Sequence, residues 1–120
     1  MFRHTRAVVA AAAYAFMAGK KVAGIHDHAT GQDLRIAAES RGEHVQGFDA
    51  SRSAKFGGHL PELYDVGDAA YISLEIDGAT ARGYDRHSES HYTLTVTGQV
   101  VQLYDYASNA WFAFSVQPDG

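Results

Sequence analysis

Residues 100–116 read VVQLYDYASNAWFAFSV, which is the pattern of two short strands joined by a polar turn. Apolar side chains alternate with others along both arms, the two-residue period of a strand that buries one face. Asp105, Ser108 and Asn109 lie between the arms and favour a turn, because their short side chains hydrogen-bond nearby backbone amides. The segment therefore predicts an antiparallel β-hairpin.

The same pattern recurs along the chain at intervals of 16 to 22 residues. Each copy has an aromatic residue or a histidine followed by Asp, and in most copies apolar residues follow eight, ten and twelve positions later. The five pairs are His26-Asp27, Phe48-Asp49, Tyr64-Asp65, Tyr84-Asp85 and Tyr104-Asp105. Asp77-Gly78 and Thr97-Gly98 are turn signals that join one copy to the next. We therefore expect residues 20–117 to form a meander of repeated β-hairpins.

The first two copies follow the pattern less closely than the last three. Lys55-Phe56-Gly57-Gly58 contains more glycine than a regular strand tolerates. This leaves a loop over residues 51–61 as the alternative to a strand there.

A helix is predicted over residues 1–19. From Phe2 to Gly19 no proline or internal glycine interrupts an alanine-rich run, and alanine has the highest helix propensity. Gly19 followed by Lys20 and Lys21 is typical of a helix C-terminus. One stripe at helical spacing would pack on the sheet, and it comprises Phe2, Val9, Ala13 and Phe16.

Together these elements predict a single α+β domain over residues 1–120 that is mainly β. A flat sheet of ten strands would be about 48 Å wide at ~4.8 Å per strand, so it must curl, close or split. We expect a strongly curved antiparallel meander packed around the N-terminal helix. A closed up-and-down barrel is the alternative.

Composition excludes several classes of protein. The chain has no cysteine, which removes disulfides and thiolate zinc sites. Its formal net charge is −4 and its ten Lys and Arg residues are scattered, so we expect no nucleic-acid partner. No apolar run approaches the ~20 residues of a membrane span. We expect a cytoplasmic protein, or an exported one if residues 1–18, basic and then apolar, act as a secretory signal.

Seven histidines raise the hypothesis of a metal site. His26 and His28 share a strand face, and His87 and His91 flank the turn of the fourth copy, so two hairpins would have to converge on the ion. Packing and turn positions explain these histidines more simply, and we expect no cofactor. The repeated Asp residues are likewise interpreted as acceptors for turn amides rather than calcium ligands, because their spacing does not match a compact calcium loop.

Motifs of catalytic families are missing from the sequence. No Ser lies in a Gly-x-Ser-x-Gly turn, and no glycine-rich segment has the spacing and lysine of a phosphate loop. The Tyr-Asp pairs resemble the tyrosine-aspartate repeats of large bacterial toxin shells, which also form hairpin meanders, but the Gly and Arg that follow in those repeats are missing here. No family is assigned, and the sequence favours a protein that is not an enzyme.

Aromatic residues crowd the C-terminal half of the chain, and most should face the core or pair across strands. Tyr106 and Trp111 flank one turn and are the candidates to protrude. With Tyr84 and Tyr104 they form the candidate site for a ligand or partner.

The leading hypothesis is a non-enzymatic binding or protein-interaction module, homo-oligomeric or bound to another protein, since an open meander has sheet edges to cover. The alternatives are a carrier of a small apolar ligand in a cavity of the curled sheet and a metal-dependent enzyme that uses the histidines.

Overall fold

The computed structural model describes residues 1–118 and places one helix inside a closed antiparallel β-barrel. Helix α1 spans Arg3–Ala18. The strand segments are β1 (Val22–Asp27), β2 (Gln32–Leu34), β3 (Ile36–Arg41), β4 (His44–Asp49), β5 (Ala54–His59), β6 (Glu62–Asp65), β7 (Ala70–Ser73), β8 (Glu75–Asp77), β9 (Thr80–Asp85), β10 (Ser90–Thr97), β11 (Val100–Asp105) and β12 (Ala110–Pro118). A single residue separates β2 from β3, and a single residue separates β7 from β8. Each of these two pairs counts as one strand of the barrel, so the twelve segments form ten strands.

Strand pairing runs completely around the barrel. Neighbours in the chain pair in order, and the circle closes where β12 lies antiparallel to β1, with Val22 opposite Pro118 and Asp27 opposite Phe114. The α+β, mainly β class is therefore confirmed, and the closed barrel matches better than the open curved sheet. Closure satisfies the backbone groups that an open meander would leave at its two outer edges.

Five antiparallel pairs share one register. The residue before each repeated Asp lies opposite the residue seven positions later: His26 and Asp33, Phe48 and Lys55, Tyr64 and Tyr71, Tyr84 and His91, Tyr104 and Trp111. Each four-residue turn ends on a residue with a left-handed φ, namely Gly31, Ser53, Ala69, Glu89 and Asn109. Up-and-down topology brings these five turns to one end of the barrel, which we call the Asp end. The turns at residues 42–43, 60–61, 78–79 and 98–99 form the opposite end.

Strand β5 contradicts the loop considered for residues 51–61. Residues 54–59 pair along their whole length with β4, and Phe56 and Gly57 pair with β6. A Cβ on Gly57 would overlap the carbonyl oxygen of Val45, and one on Gly58 would lie 2.5 Å from the carbonyl oxygen of Glu62. The two glycines therefore belong to the strand because the neighbouring backbones approach too closely for side chains.

Helix α1 is buried around its whole circumference. Residues Ala7–Ala15 are at most 2% exposed, so the sheet covers more than the single stripe expected from the sequence. Phe2, expected on that stripe, is instead 50% exposed at the Asp end. Alanine side chains keep the helix narrow enough to lie inside a ten-stranded barrel. Among residues 1–118 no helix has the length and apolar character that a membrane crossing requires.

Two aromatic rings inside the barrel lie against glycines on the neighbouring strand. Gly47 is opposite Phe56, and Gly83 is opposite Tyr92. A Cβ on Gly83 would overlap the carbonyl oxygen of Ser73 and lie 2.5 Å from the Tyr92 hydroxyl. That hydroxyl donates to the Ser73 carbonyl at 2.6 Å, and its burial raises the pKa of Tyr92. Glycine at these positions lets the barrel wall close over the rings.

Candidate functional site

Five buried carboxylates surround the Asp end of the barrel, and each is at most 2% exposed. Each accepts a hydrogen bond at Oδ1 from the backbone N–H two residues later. The distances are 2.9 Å at Asp27, 3.1 Å at Asp49, 2.9 Å at Asp65, 3.2 Å at Asp85 and 3.0 Å at Asp105. This is Asx-turn geometry, in which the carboxylate replaces a backbone acceptor. These aspartates therefore hold the five turns in place.

Arg52 joins two of these five carboxylates, and it also lies near the carboxylate of Asp68. Its Nε donates to Asp49 at 2.7 Å, and its two terminal nitrogens donate to Asp65 at 3.1 and 2.8 Å. Burial opposes the positive charge, but the hydrogen bonds to Asp65 and Asp49 outweigh it and raise the pKa of Arg52. One terminal nitrogen also lies 3.6 Å from Asp68. Arg52 therefore neutralises acidic groups that face the barrel interior.

The start of helix α1 supplies further positive charge at this end. Arg6 lies 3.5 Å from Asp105, and its guanidinium is 3.7 Å above the ring of Phe112. The Met1 amino group donates to Asp105 at 3.1 Å. Burial opposes ionisation of Asp105, but the hydrogen bonds from Met1, the Ser108 hydroxyl and the Ala107 amide hold its pKa below the ordinary value. Opposite charges thus fix the helix to the turns around it.

One set of three potential metal ligands lies close together in residues 1–118. It comprises His4, Asp65 and Asp68, whose ligand atoms are within 4.8 Å of one another. His4 Nε2 is 2.8 Å from Asp68, while Arg52 already occupies the carboxylate of Asp65. A metal ion there would have to displace an arginine beside a positive helix end. We interpret the set as part of the ion-pair network that closes the Asp end.

The four histidines predicted as metal ligands lie in two separate places. His26 and His28 adjoin, with ring centroids 4.9 Å apart, and they contact Asp33 and Ser115 respectively. His87 packs on Phe2 at 5.2 Å and His91 on Tyr84 at 4.6 Å. Within the part of the chain that the structure describes, none of the four belongs to a set of three close ligands. The fold therefore does not bring these predicted ligands together.

The four predicted binding residues lie on the outer face of β9–β12 and the adjoining turn, together with His91. We call Tyr84, His91, Tyr104, Tyr106 and Trp111 the aromatic patch. Trp111 is 62% exposed and Tyr106 is 52% exposed. The Tyr104 ring contacts both, at centroid distances of 4.9 Å to Tyr106 and 5.1 Å to Trp111. Strand alternation explains the grouping, since their neighbours Leu103 and Asp105 face inward.

Two grooves border the aromatic patch. One has a volume of 580 Å³ and is lined by Tyr84, His91 and Tyr106 of the patch and by Arg82 and Thr93. The other has a volume of 690 Å³ and extends from Trp111 across β10, β9 and β8 to the opposite end of the barrel. There its apolar lining residues are Phe16, Leu60, Leu74, Ile76 and Leu94. Both outward and inward side chains line this groove, so it reaches the mouth of the barrel.

Comparison with known proteins adds no relative. No family model, no curated protein and no solved structure matches the chain. The geometry of the barrel surface is therefore the basis for inferring what the protein does.

Proposed function

We propose that this protein is a non-enzymatic protein-interaction module that binds its partner through the aromatic patch. The observation that carries the proposal is the exposure of Trp111 and Tyr106 side by side with Tyr104. Trp and Tyr dominate the binding energy of protein interfaces, because they bury a large area and lose little conformational entropy. A second copy of the chain and a different protein are both partners of this kind.

The ring geometry favours a protein partner over a flat ligand. The ring planes of Tyr84 and His91 are inclined by 52°, those of Tyr104 and Tyr106 by 77°, and those of Tyr104 and Trp111 by 65°. Coplanar rings would make a platform for a flat molecule, whereas inclined rings leave clefts between them. The adjoining 580 Å³ groove extends these clefts, which suits the side chains of a protein surface.

The buried acidic groups support a structural rather than a catalytic role. The five repeated aspartates accept turn amides, and Arg52 occupies two of them as well. At Asp105, the hydrogen bonds from Met1, Ser108 and Ala107 hold the pKa of the carboxyl below its ordinary value. Carboxylates held in this way stabilise the turns that present the outer surface.

One observation favours an apolar-ligand carrier as the second candidate. The 690 Å³ groove has the volume of a small-molecule site and an apolar floor that includes Leu60 and Leu74. Because α1 occupies the barrel axis, the ligand would bind at the mouth rather than deep inside the sheet. Native mass spectrometry of the protein from its own cells should then show a co-purifying apolar molecule, and a bare protein mass would remove this candidate.

Trp111 is the only tryptophan, so a single fluorine label reports on the aromatic patch. In protein made with 5-fluorotryptophan, the one ¹⁹F resonance should shift or broaden when a partner covers the indole. We expect this in concentrated purified protein if the partner is a second copy, and in concentrated extract of its own cells if it is another protein. Tyr106→Ala should suppress the change, whereas Tyr71→Ala should not, since Tyr71 is similarly exposed but lies on β7. A resonance unchanged in both samples would contradict the proposal.

A further inference from the structure

We propose that the free edge of β8 accepts an extended segment of a partner protein as an additional β-strand, and that it selects a segment in which basic residues flank an apolar one. β8 pairs directly with β9, which carries Tyr84 of the aromatic patch, but no residue of the patch lies on β8. The inference therefore extends the proposed function but does not require the patch to bind.

Strand β8 pairs with β9 on one side, and among residues 1–118 it pairs with no strand on the other. In three other copies of the repeat, a residue at this end of the barrel donates its N–H to the preceding turn; it lies twelve positions after the residue that precedes the repeated Asp. The bonds are Leu60 to Glu43 at 2.8 Å, Val96 to Ala79 at 2.9 Å and Val116 to Gln99 at 2.7 Å. Ile76 is the equivalent residue of β8, and no such bond reaches it from residues 1–118. The barrel wall is therefore open beside Ile76.

A short neighbouring strand explains this opening. Only 16 residues separate Phe48 from Tyr64, against 20 in the next two intervals, and β6 has four residues where β9 and β11 have six. The turn before β6 reaches only Leu74, whose N–H donates to the Pro61 carbonyl at 2.7 Å. Beyond that bond β8 continues without a neighbour.

The backbone groups of Ile76 point towards the open side. Glu75 lies opposite Arg82, and Asp77 lies opposite Thr80. Asp77 and Thr80 close a two-residue turn, and the two closing residues of such a turn hydrogen-bond to each other. Since successive backbone groups alternate in direction, the N–H and C=O of Ile76 face away from β9. An added strand would pair with both groups, as in other cases of strand addition.

The other segment with a single strand partner is less suited to accept a strand. β2 pairs with β1 only. As at β8, one bond from a neighbouring turn reaches the residue beside it, since the Ala50 N–H donates to the Arg35 carbonyl at 2.9 Å. β8 differs in that all three of its residues line the 690 Å³ groove, which an added strand could enter.

The surroundings of β8 define the sequence that an added strand should carry. A residue opposite Ile76 would face the apolar floor of the 690 Å³ groove, near Leu60 and Leu74. Its two neighbours would face outward beside Glu75 and Asp77, with Glu43 on the same rim. Arg82 lies 3.2 Å from Glu75 and offsets one charge, which leaves the rim acidic. Basic, apolar, basic is the complementary pattern.

A second copy of the chain is a poor occupant of this edge. Antiparallel pairing of two β8 edges about Ile76 would place Glu75 of each copy opposite Asp77 of the other. Like charges directly opposite each other destabilise a strand pair. The charges thus protect the edge from self-pairing and leave it open to a basic segment.

The test uses the ¹⁵N-labelled full chain and the peptide acetyl-Ser-Thr-Lys-Ile-Lys-Thr-Ser-amide. The Ile76 amide resonance should shift saturably, and its hydrogen exchange should slow by about tenfold or more. A control peptide with both lysines replaced by glutamate should bind at least about tenfold more weakly. Equal binding of the two peptides, or a shift confined to the aromatic patch, would overturn the proposal.

Two variants identify the edge as the binding site. Asp77→Lys should remove the preference between the peptides, whereas Thr97→Lys, at the equivalent position of β10, which pairs with both β9 and β11, should leave it unchanged. Ile76→Pro removes the edge N–H and should abolish binding while the barrel folds, because that N–H makes no backbone hydrogen bond within residues 1–118. If Ile76→Pro does not fold, the charge reversal still decides. If Asp77→Lys keeps the preference for the basic peptide, strand addition is refuted. If the Ile76 amide responds to the peptide but the ¹⁹F resonance of Trp111 changes in neither of its two samples, only binding through the aromatic patch is refuted.

Discussion

Asp65→Asn should be among the most destabilising single-atom changes in the barrel. Asp65 is fully buried, accepts two hydrogen bonds from Arg52 at 2.8 and 3.1 Å, and accepts the Gly67 amide at 2.9 Å. Asparagine keeps one acceptor oxygen but turns an NH₂ group towards one of the guanidinium donors. Breaking one side of a buried ion pair costs about 3–5 kcal/mol. Because Arg52 keeps Asp49 and is partly exposed, we expect about 3 kcal/mol, or roughly 10 °C in Tm.

Urea unfolding followed by far-ultraviolet circular dichroism measures this loss. The midpoint should fall with an unchanged slope, which assigns the effect to stability rather than to the compactness of the unfolded state. Asp33→Asn is the matched control, since Asp33 is 74% exposed and should change stability by less than about 0.5 kcal/mol. A loss below about 1 kcal/mol for Asp65→Asn would refute the view that the ion pairs at the Asp end stabilise the fold.

Three further predictions concern buried groups. Gly83→Ala should lose about 1–3 kcal/mol on urea unfolding, because its Cβ would overlap the Ser73 carbonyl oxygen, and a neutral effect would contradict the close packing there. Tyr92→Phe should lose about 1–2 kcal/mol, since that same carbonyl loses its buried donor; an unchanged midpoint would show that the bond is not stabilising. Asp105 has a lowered pKa when folded, so its contribution is present above its ordinary pKa and disappears as pH falls through the folded value. Asp105→Asn should therefore flatten the fall in Tm from about pH 5 to about pH 2, and an equally steep fall would contradict it.

The local elements of the fold were predictable because their signals are local. The alanine run with Gly19 after it predicts a helix through propensity and a C-terminal stop, and α1 ends at Ala18 with Gly19 at φ 65°. The Asp of each aromatic-Asp pair binds an amide only two residues away, so its role is written within one turn. These signals need no knowledge of the rest of the chain.

Closure of the barrel was not predictable in the same way. It depends on pairing between Val22 in the first strand and Pro118 in the last, and an alternating strand pattern fits open and closed sheets equally. The alanine run is likewise compatible with packing on a sheet and with burial inside a barrel. Only the closed circle explains why residues Ala7–Ala15 are at most 2% exposed.

The candidate sites also differ in whether they depend on local signals or on long-range contacts. Tyr106 and Trp111 could be placed on the surface, since they flank a turn on the outward side of the strand alternation. Arg52 and His4 were missed because they lie outside the repeat and act through long-range ion pairs. The free edge of β8 had a signal, the single interval of 16 residues, but its meaning depends on which strands are neighbours.

Binding through the outer face is tested most directly by photocrosslinking in the cells that make the protein. The photoreactive residue p-benzoylphenylalanine would replace Trp111 in one variant and Lys55 in another. Both positions are exposed and have the same register in their hairpins, but they lie four strands apart around the barrel. The aromatic patch predicts a discrete adduct from position 111, either twice 13.0 kDa or larger by another protein, and none from position 55. No adduct from position 111, or the same adducts from both positions, would contradict it.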